Sequence, residues 1–130
     1  MVRPIGEGAR AGLAPILSDA KANLIANGSV HRGVLLRGLV IRRNKKKLRN
    51  SVSWQVAASG KAVSIAHLVE FGTEPHWQPN RGVMHPGAEP KEFLSPAYYD
   101  NEREAISIFG KIIGPALEEQ AARLYARSRR

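Results

Sequence analysis

Apolar residues in the first part of the chain fall at Ile5, Ala9, Leu13, Ile16, Leu17, Ala20 and Leu24. Steps of three and four place them on one stripe of a helix, which Asn27-Gly28 would stop. Pro15 removes a donor from the ladder, so the secure part of this N-terminal helix is expected from about Ala14, with a looser or kinked segment before it. Between residues 33 and 73 the period changes. Leu39-Val40-Ile41 is short, β-branched and followed by a basic turn, and Val52, Trp54 and Val56 alternate with Ser51, Ser53 and Gln55 as in a half-buried strand. Ser59-Gly60 reads as a tight turn, after which Val63 and Ile65 resume the alternation, so a small antiparallel β-sheet is expected. Leu35, Leu36 and Leu39 fit a short helix equally well.

From Gly72 to Glu92 the chain carries four prolines (Pro75, Pro79, Pro86, Pro90) and three glycines (Gly72, Gly82, Gly87). This density predicts a long irregular arm over about 72–92, and long loops in compact domains tend to be functional or disordered. Helical periodicity returns after Pro96. Ala105, Phe109, Ile112 and Ala116 form a stripe widened by Ile108 and Ile113 and continued by Leu124, with a kink expected at Gly114-Pro115. A helix, a small sheet, an arm and a long C-terminal helix make an α+β fold, and 130 residues allow one domain over 1–130.

Composition narrows the function classes. With 43% apolar and 24% charged residues the chain is an ordinary globular one, and no apolar run approaches the roughly 20 residues of a membrane span. Its first residues lack the apolar core of a secretory signal, so no membrane partner is expected. Zero cysteines exclude disulfides and thiolate sites. The net charge of +9 is unevenly spread: residues 1–69 hold twelve Lys/Arg against Glu7 and Asp19, while residues 70–130 are close to neutral. Six of the eight residues 42–49 are basic (Arg42, Arg43, Lys45, Lys46, Lys47, Arg49), and Arg123, Arg127, Arg129 and Arg130 make a basic C-terminal tail over about 123–130. Such a field attracts nucleic acid or an acidic protein face. It is also what a solvated turn and a frayed tail would look like.

The sequence offers little for catalysis. His67 and Glu70 lie three apart, with His76 and His85 following, but the H-E-x-x-H spacing of helix-borne zinc ligands is missing. No serine stands in a nucleophile elbow, no phosphate loop occurs, and Gly6, Gly8 and Gly12 follow no strand. The expectation is a non-enzyme with no catalytic residues, metal or cofactor.

The informative residues are Ala66-His67-Leu68-Val69-Glu70-Phe71-Gly72-Thr73 and, beyond the arm, Lys91-Glu92-Phe93-Leu94-Ser95-Pro96-Ala97. Phe71 and Phe93 suit anchors at the two ends of the arm, Gly72 a backbone free to turn, and Glu70 an acceptor for hydrogen bonds from that turn. Ser95-Pro96 reads as an N-cap with Pro at the first helical position. Within the arm His76, Trp77, Met84 and His85 are candidate subunit or partner contacts, because an exposed Trp and Met call for a covering surface.

This pattern, with Gly33-x-Leu35 before the first strand, Glu70-Phe71-Gly72-Thr73, the His85-Pro86-Gly87 of the arm and then Phe93-Leu94-Ser95-Pro96-Ala97 opening a long helix, resembles the minor tail, neck or tail-completion proteins that join head to tail in tailed phages. The likeness covers roughly residues 33–117. Ser95 stands where that family usually carries a basic residue, and the Pro that usually precedes the Phe is displaced to Pro90. The resemblance implies a structural virion protein, made in the host cytoplasm, that enters a homo-oligomeric ring at the head-tail junction. Its neighbours would be head-closure or connector proteins and a tail terminator or tail-tube protein, with genomic DNA passing weakly and non-specifically through the lumen. The competing reading is a small basic module that binds nucleic acid through the 42–49 turn. Against that reading, neither Trp54 nor Trp77 is interleaved with the basic run as a stacking platform requires.

Overall fold

The computed structural model describes residues 2–28, 33–45 and 51–129 of the chain, and the fold is α+β. Helix α1 spans Val2–Ala26 and α2 spans Val34–Gly38. Strands β1 (Leu39–Arg43) and β2 (Trp54–Ala58) follow, then a 3-10 turn over Gly60–Ala62 that runs into α3 (Val63–Phe71). Strands β3 (His76–Gln78) and β4 (Val83–His85) precede the long helix α4 (Leu94–Ser128).

Helices α1 and α4 run antiparallel and form the frame. The direction is read from three contacts: Gly12 lies against Ala105, Asp19 meets Asn101, and Asn23 meets Phe93. The crossing is close because Gly12 has no side chain; a Cβ there would stand 2.7 Å from the Ala105 carbonyl oxygen. Against α1 lies the β1–β2 ladder, antiparallel with Leu39 opposite Ala58 and Arg43 opposite Trp54. Trp54 packs over Gly6, and the Arg10 guanidinium sits 5.0 Å from its ring centre. The core gathers Ile16, Ala20 and Leu24 of α1, Leu35, Leu39, Ala62, Phe93 and Ala97, with Val56 and Val69 packed against it. Phe93 and Leu24 are its largest fully buried side chains, each worth about 1.5–3 kcal/mol on burial.

Several expectations are corrected. Helix α1 is regular from Val2, not from about Ala14, because Gly8 and Gly12 seat its first turns on Phe109 and Ala105 and tertiary packing outweighs propensity. Val63 and Ile65 belong to a helix. Their alternation is overridden by the helical spacing of Ala62, Ala66, Val69 and Glu70, which face inward, while Val63 and Ile65 are exposed. The expected single sheet is two separate two-stranded ones, β1–β2 and β3–β4. The second replaces part of the irregular 72–92 segment: Pro75, Pro79 and Pro86 lie just outside three-residue strands, where no ladder donor is lost. Leu124 does not continue the buried stripe of α4. That helix outlasts α1 by ten residues, so its last turns have no partner helix and Leu117, Leu124 and Tyr125 are exposed. Among the described residues no helix is long and apolar enough to cross a membrane.

Candidate functional site

The two halves of the motif meet at the N-terminus of α4. Every helix opens with backbone N–H groups that have no partner within it. Here they belong to Phe93, Leu94 and Ser95, the next residue being Pro96, which has none. All three go to one side chain. Glu70 Oε2 accepts from the Phe93 N–H at 2.9 Å and the Leu94 N–H at 3.0 Å, and Oε1 accepts from the Ser95 N–H at 3.0 Å and the Ser95 hydroxyl at 2.6 Å. A carboxylate at this end of a helix is also favoured by the helix dipole.

Glu70 reaches this position from the last turn of α3, where it lies on the inward stripe and is only 6% exposed. Burial pushes its carboxyl pKa up, and the hydrogen bonds from Leu94, Ser95 and Phe93 more than offset this, leaving it below its ordinary value of 4.5. The strand of chain entering α4 is held from both sides. The Lys91 N–H donates to the Val69 carbonyl at 2.8 Å, while the amides of Asn27, just past α1, and of Asn23 within it donate to the Glu92 and Phe93 carbonyls, each at 3.0 Å. Asn101, buried two turns into α4, donates to Asp19 and to the Ala97 carbonyl. The result is a clasp joining α1, α3 and α4 around Phe93.

The segment that carries the β3–β4 hairpin starts and ends at this clasp. Gly72 has φ 74° and ψ −179°, a region open in practice only to glycine, and a Cβ there would lie 2.6 Å from the Ala88 carbonyl oxygen and 2.8 Å from the Pro90 nitrogen. Thr73 and Ala88 then exchange two backbone hydrogen bonds of 2.9 Å, closing the base of the hairpin. In the hairpin His76 is opposite His85, their rings stacked 4.9 Å apart, and Trp77 is opposite Met84. The His76 Nδ1–H donates to the Glu74 carbonyl, and His85 Nδ1 accepts the Gly87 N–H, so each imidazole is tied to its own backbone. Trp77 is 56% and Met84 60% exposed.

Of the predicted site residues, Glu70, Phe93, Leu94 and Ala97 come together in the clasp, with Pro96 completing its account of donors. Three details are corrected. Glu70 serves the start of α4 and not its own Glu70–Thr73 turn, because its side chain points inward from α3. Phe71 is no anchor: it is 73% exposed, one position further round the helix from Glu70. Ser95 is not the N-cap, a place taken by Phe93; it stands within the first turn and adds its hydroxyl to Glu70. His67 is exposed and takes no part with Glu70, whose two oxygens are both engaged. Asn23, Asn27 and Asn101 were not singled out by sequence; Asn27 reads there only as part of a helix stop.

Arg42, Arg43 and Lys45 are exposed at the end of the β1–β2 ladder where the chain passes from β1 to β2, while Lys46, Lys47 and Arg49 lie outside the described residues. Arg123, Arg127 and Arg129 are exposed on the projecting end of α4. Compared with protein-family profiles, with curated proteins and with solved structures, the chain finds no match.

Proposed function

We propose that this chain is a structural virion protein of the tailed-phage head-tail junction, one subunit of a ring through which the genome passes, with the 72–92 segment as the arm by which subunits or neck neighbours are engaged. The observation that carries this reading is the clasp. The motif that resembles the neck and tail-completion family here ties both ends of a hairpin to a three-element joint, and that hairpin presents Trp77, Val83 and Met84 to solvent. Such an arrangement spends the chain's one buried carboxylate, among the described residues, on backbone amides and suits holding a contact element in place. The excess of basic residues in 1–69 supports contacts with an acidic face of a neighbour or with passing DNA.

The test is assembly. The purified chain, alone and mixed with connector, head-closure and tail proteins from its own gene cluster, is followed by size exclusion with light scattering and by negative-stain microscopy. Rings with a central opening are expected. A chain that stays monomeric in every mixture, yet binds free duplex DNA with an affinity that falls steeply with salt, would replace this reading by the basic nucleic-acid module, which the exposed Arg42, Arg43 and Lys45 favour.

A further inference from the structure

At the end of the molecule remote from the hairpin, α1, β2 and α4 leave an open apolar pocket of about 300 Å³ lined by Ile5, Gly8, Leu13, Trp54, Ile106 and Phe109. The absence of a side chain at Gly8 makes room in its floor, while Ile106 on its lip is 73% exposed. A pocket of this composition next to an exposed branched side chain is a poor surface to leave in water.

The same chain carries a matching protrusion. Trp77 and Met84 are a cross-strand pair and so share one face of the hairpin, both more than half exposed. Arg81 stands in the turn beside them, and Glu102 stands one helical turn before Ile106, so the knob brings a cation to a carboxylate on the α4 side of the hole, whose other side carries Arg10 over Trp54. The hairpin cannot reach its own pocket. It lies by Gly28 and α3, at the Phe93 end of α4, and Phe109 is sixteen residues further on, about 24 Å along the helix.

We infer that the pocket is the seat for Trp77 of a second copy of this chain, so that subunits join head to tail, hairpin into pocket. Knob and hole are different patches of one surface, which makes the contact heterologous. Such a contact propagates around a closed ring or along a filament and cannot end as a two-fold dimer. Trp in a desolvated pocket, with Met84 and the Arg81–Glu102 pair at the rim, is the usual anatomy of a binding hot spot. The inference rests on the ring reading above and adds the surfaces that make it.

The chain has no cysteine, which makes the experiment clean. Met84→Cys and Glu102→Cys variants, each retaining Trp77 and the pocket, are mixed under mild oxidation. A disulfide-linked heterodimer is expected from the mixture and not from either variant alone. In parallel, Trp77→Ala is expected to weaken self-association about thirtyfold or more, with an unchanged thermal midpoint at a dilution where both proteins are monomeric. Rings that form without the 84–102 cross-link and tolerate Trp77→Ala would overturn the inference and leave the ring reading standing. Cross-linking of the Met84→Cys variant to itself would overturn it in favour of a two-fold contact. A chain that never self-associates, alone or with its neck neighbours, would remove both.

Discussion

Replacing Glu70 tests the clasp directly. Glu70→Ala strands the N–H groups of Phe93, Leu94 and Ser95 at a helix start that is largely shielded from water, Phe93 itself being 1% exposed. Hydrogen bonds to a charged group contribute about 1.5–3 kcal/mol each, but these share one carboxylate and do not add. Allowing for the cost of burying the carboxylate in the wild type, the expected loss is about 3–5 kcal/mol, at the upper end of single-site effects. Against a total stability of about 5–15 kcal/mol this is a large share. For a chain of this size it lowers the thermal midpoint by roughly 10–20 °C. Glu70→Gln keeps the shape and one acceptor oxygen but turns an amide NH₂ towards the donors, and about 2 kcal/mol of the loss is expected to remain.

The carboxylate also gives the effect a pH signature. Because its pKa in the folded chain is below the ordinary 4.5, the unfolded chain binds the proton more readily. The clasp's contribution is therefore complete above the unfolded value and is lost as pH falls through the folded one. Urea midpoints of wild type and Glu70→Gln, measured from pH 7 down to pH 3, are expected to differ most near neutrality and to converge in acid. Parallel curves over that range, or a Glu70→Ala variant as stable as wild type, would refute the account of Glu70 as the cap of α4.

Three further outcomes follow from the geometry. Gly72→Ala forces a side chain into a glycine-only conformation and against Ala88 and Pro90, so a loss of at least about 2 kcal/mol is expected in urea titration. Gly12→Val must push α4 away from α1 at Ala105 and is expected to cost about 1–3 kcal/mol by the same measurement. Arg42, Arg43 and Lys45 changed together to Gln are expected to leave the thermal midpoint within about 2 °C, since all three are exposed, and to reduce salt-sensitive retention of two unrelated duplex DNAs equally in anisotropy titrations.

How far the sequence reveals this molecule depends on the range of the forces involved. Stripes of apolar residues are local signals, and the helix through Ile16, Ala20 and Leu24 and the strand through Leu39, Val40 and Ile41 are visible in them. Elements whose stability comes from distant partners are less visible. The opening turns of α1 contain Pro4, Gly6, Gly8 and Gly12 and look poor as a helix until Trp54 is laid against Gly6 and α4 against Gly8 and Gly12. Val63-Ser64-Ile65 alternates like a strand because only two apolar positions are sampled, and the buried positions that decide the matter begin one residue earlier at Ala62. The prolines of the arm suggest irregularity by their number, whereas their placement, outside each three-residue strand, is what permits a hairpin.

The clasp illustrates a harder case. Nothing in the periodicity links Glu70 to residues 93–95, more than twenty positions away, and the two halves of the motif were joined only by their likeness to a family pattern. A physical signal was nevertheless present. Glu70 is an acid on the apolar stripe of a helix, a placement that is unfavourable unless donors are delivered to it. Phe93-Leu94-Ser95-Pro96 opens a helix with no acidic residue in its first turn and a bulky apolar residue at the cap position. One element carries an acceptor without donors and the other carries donors without an acceptor, and each deficit is removed by the other. Searching a sequence for such paired deficits, an inward acid on one helix and an uncapped start on another, would have predicted the contact between α3 and α4. It would also have placed the root of the hairpin, since the chain between two such points must leave and return at the same place.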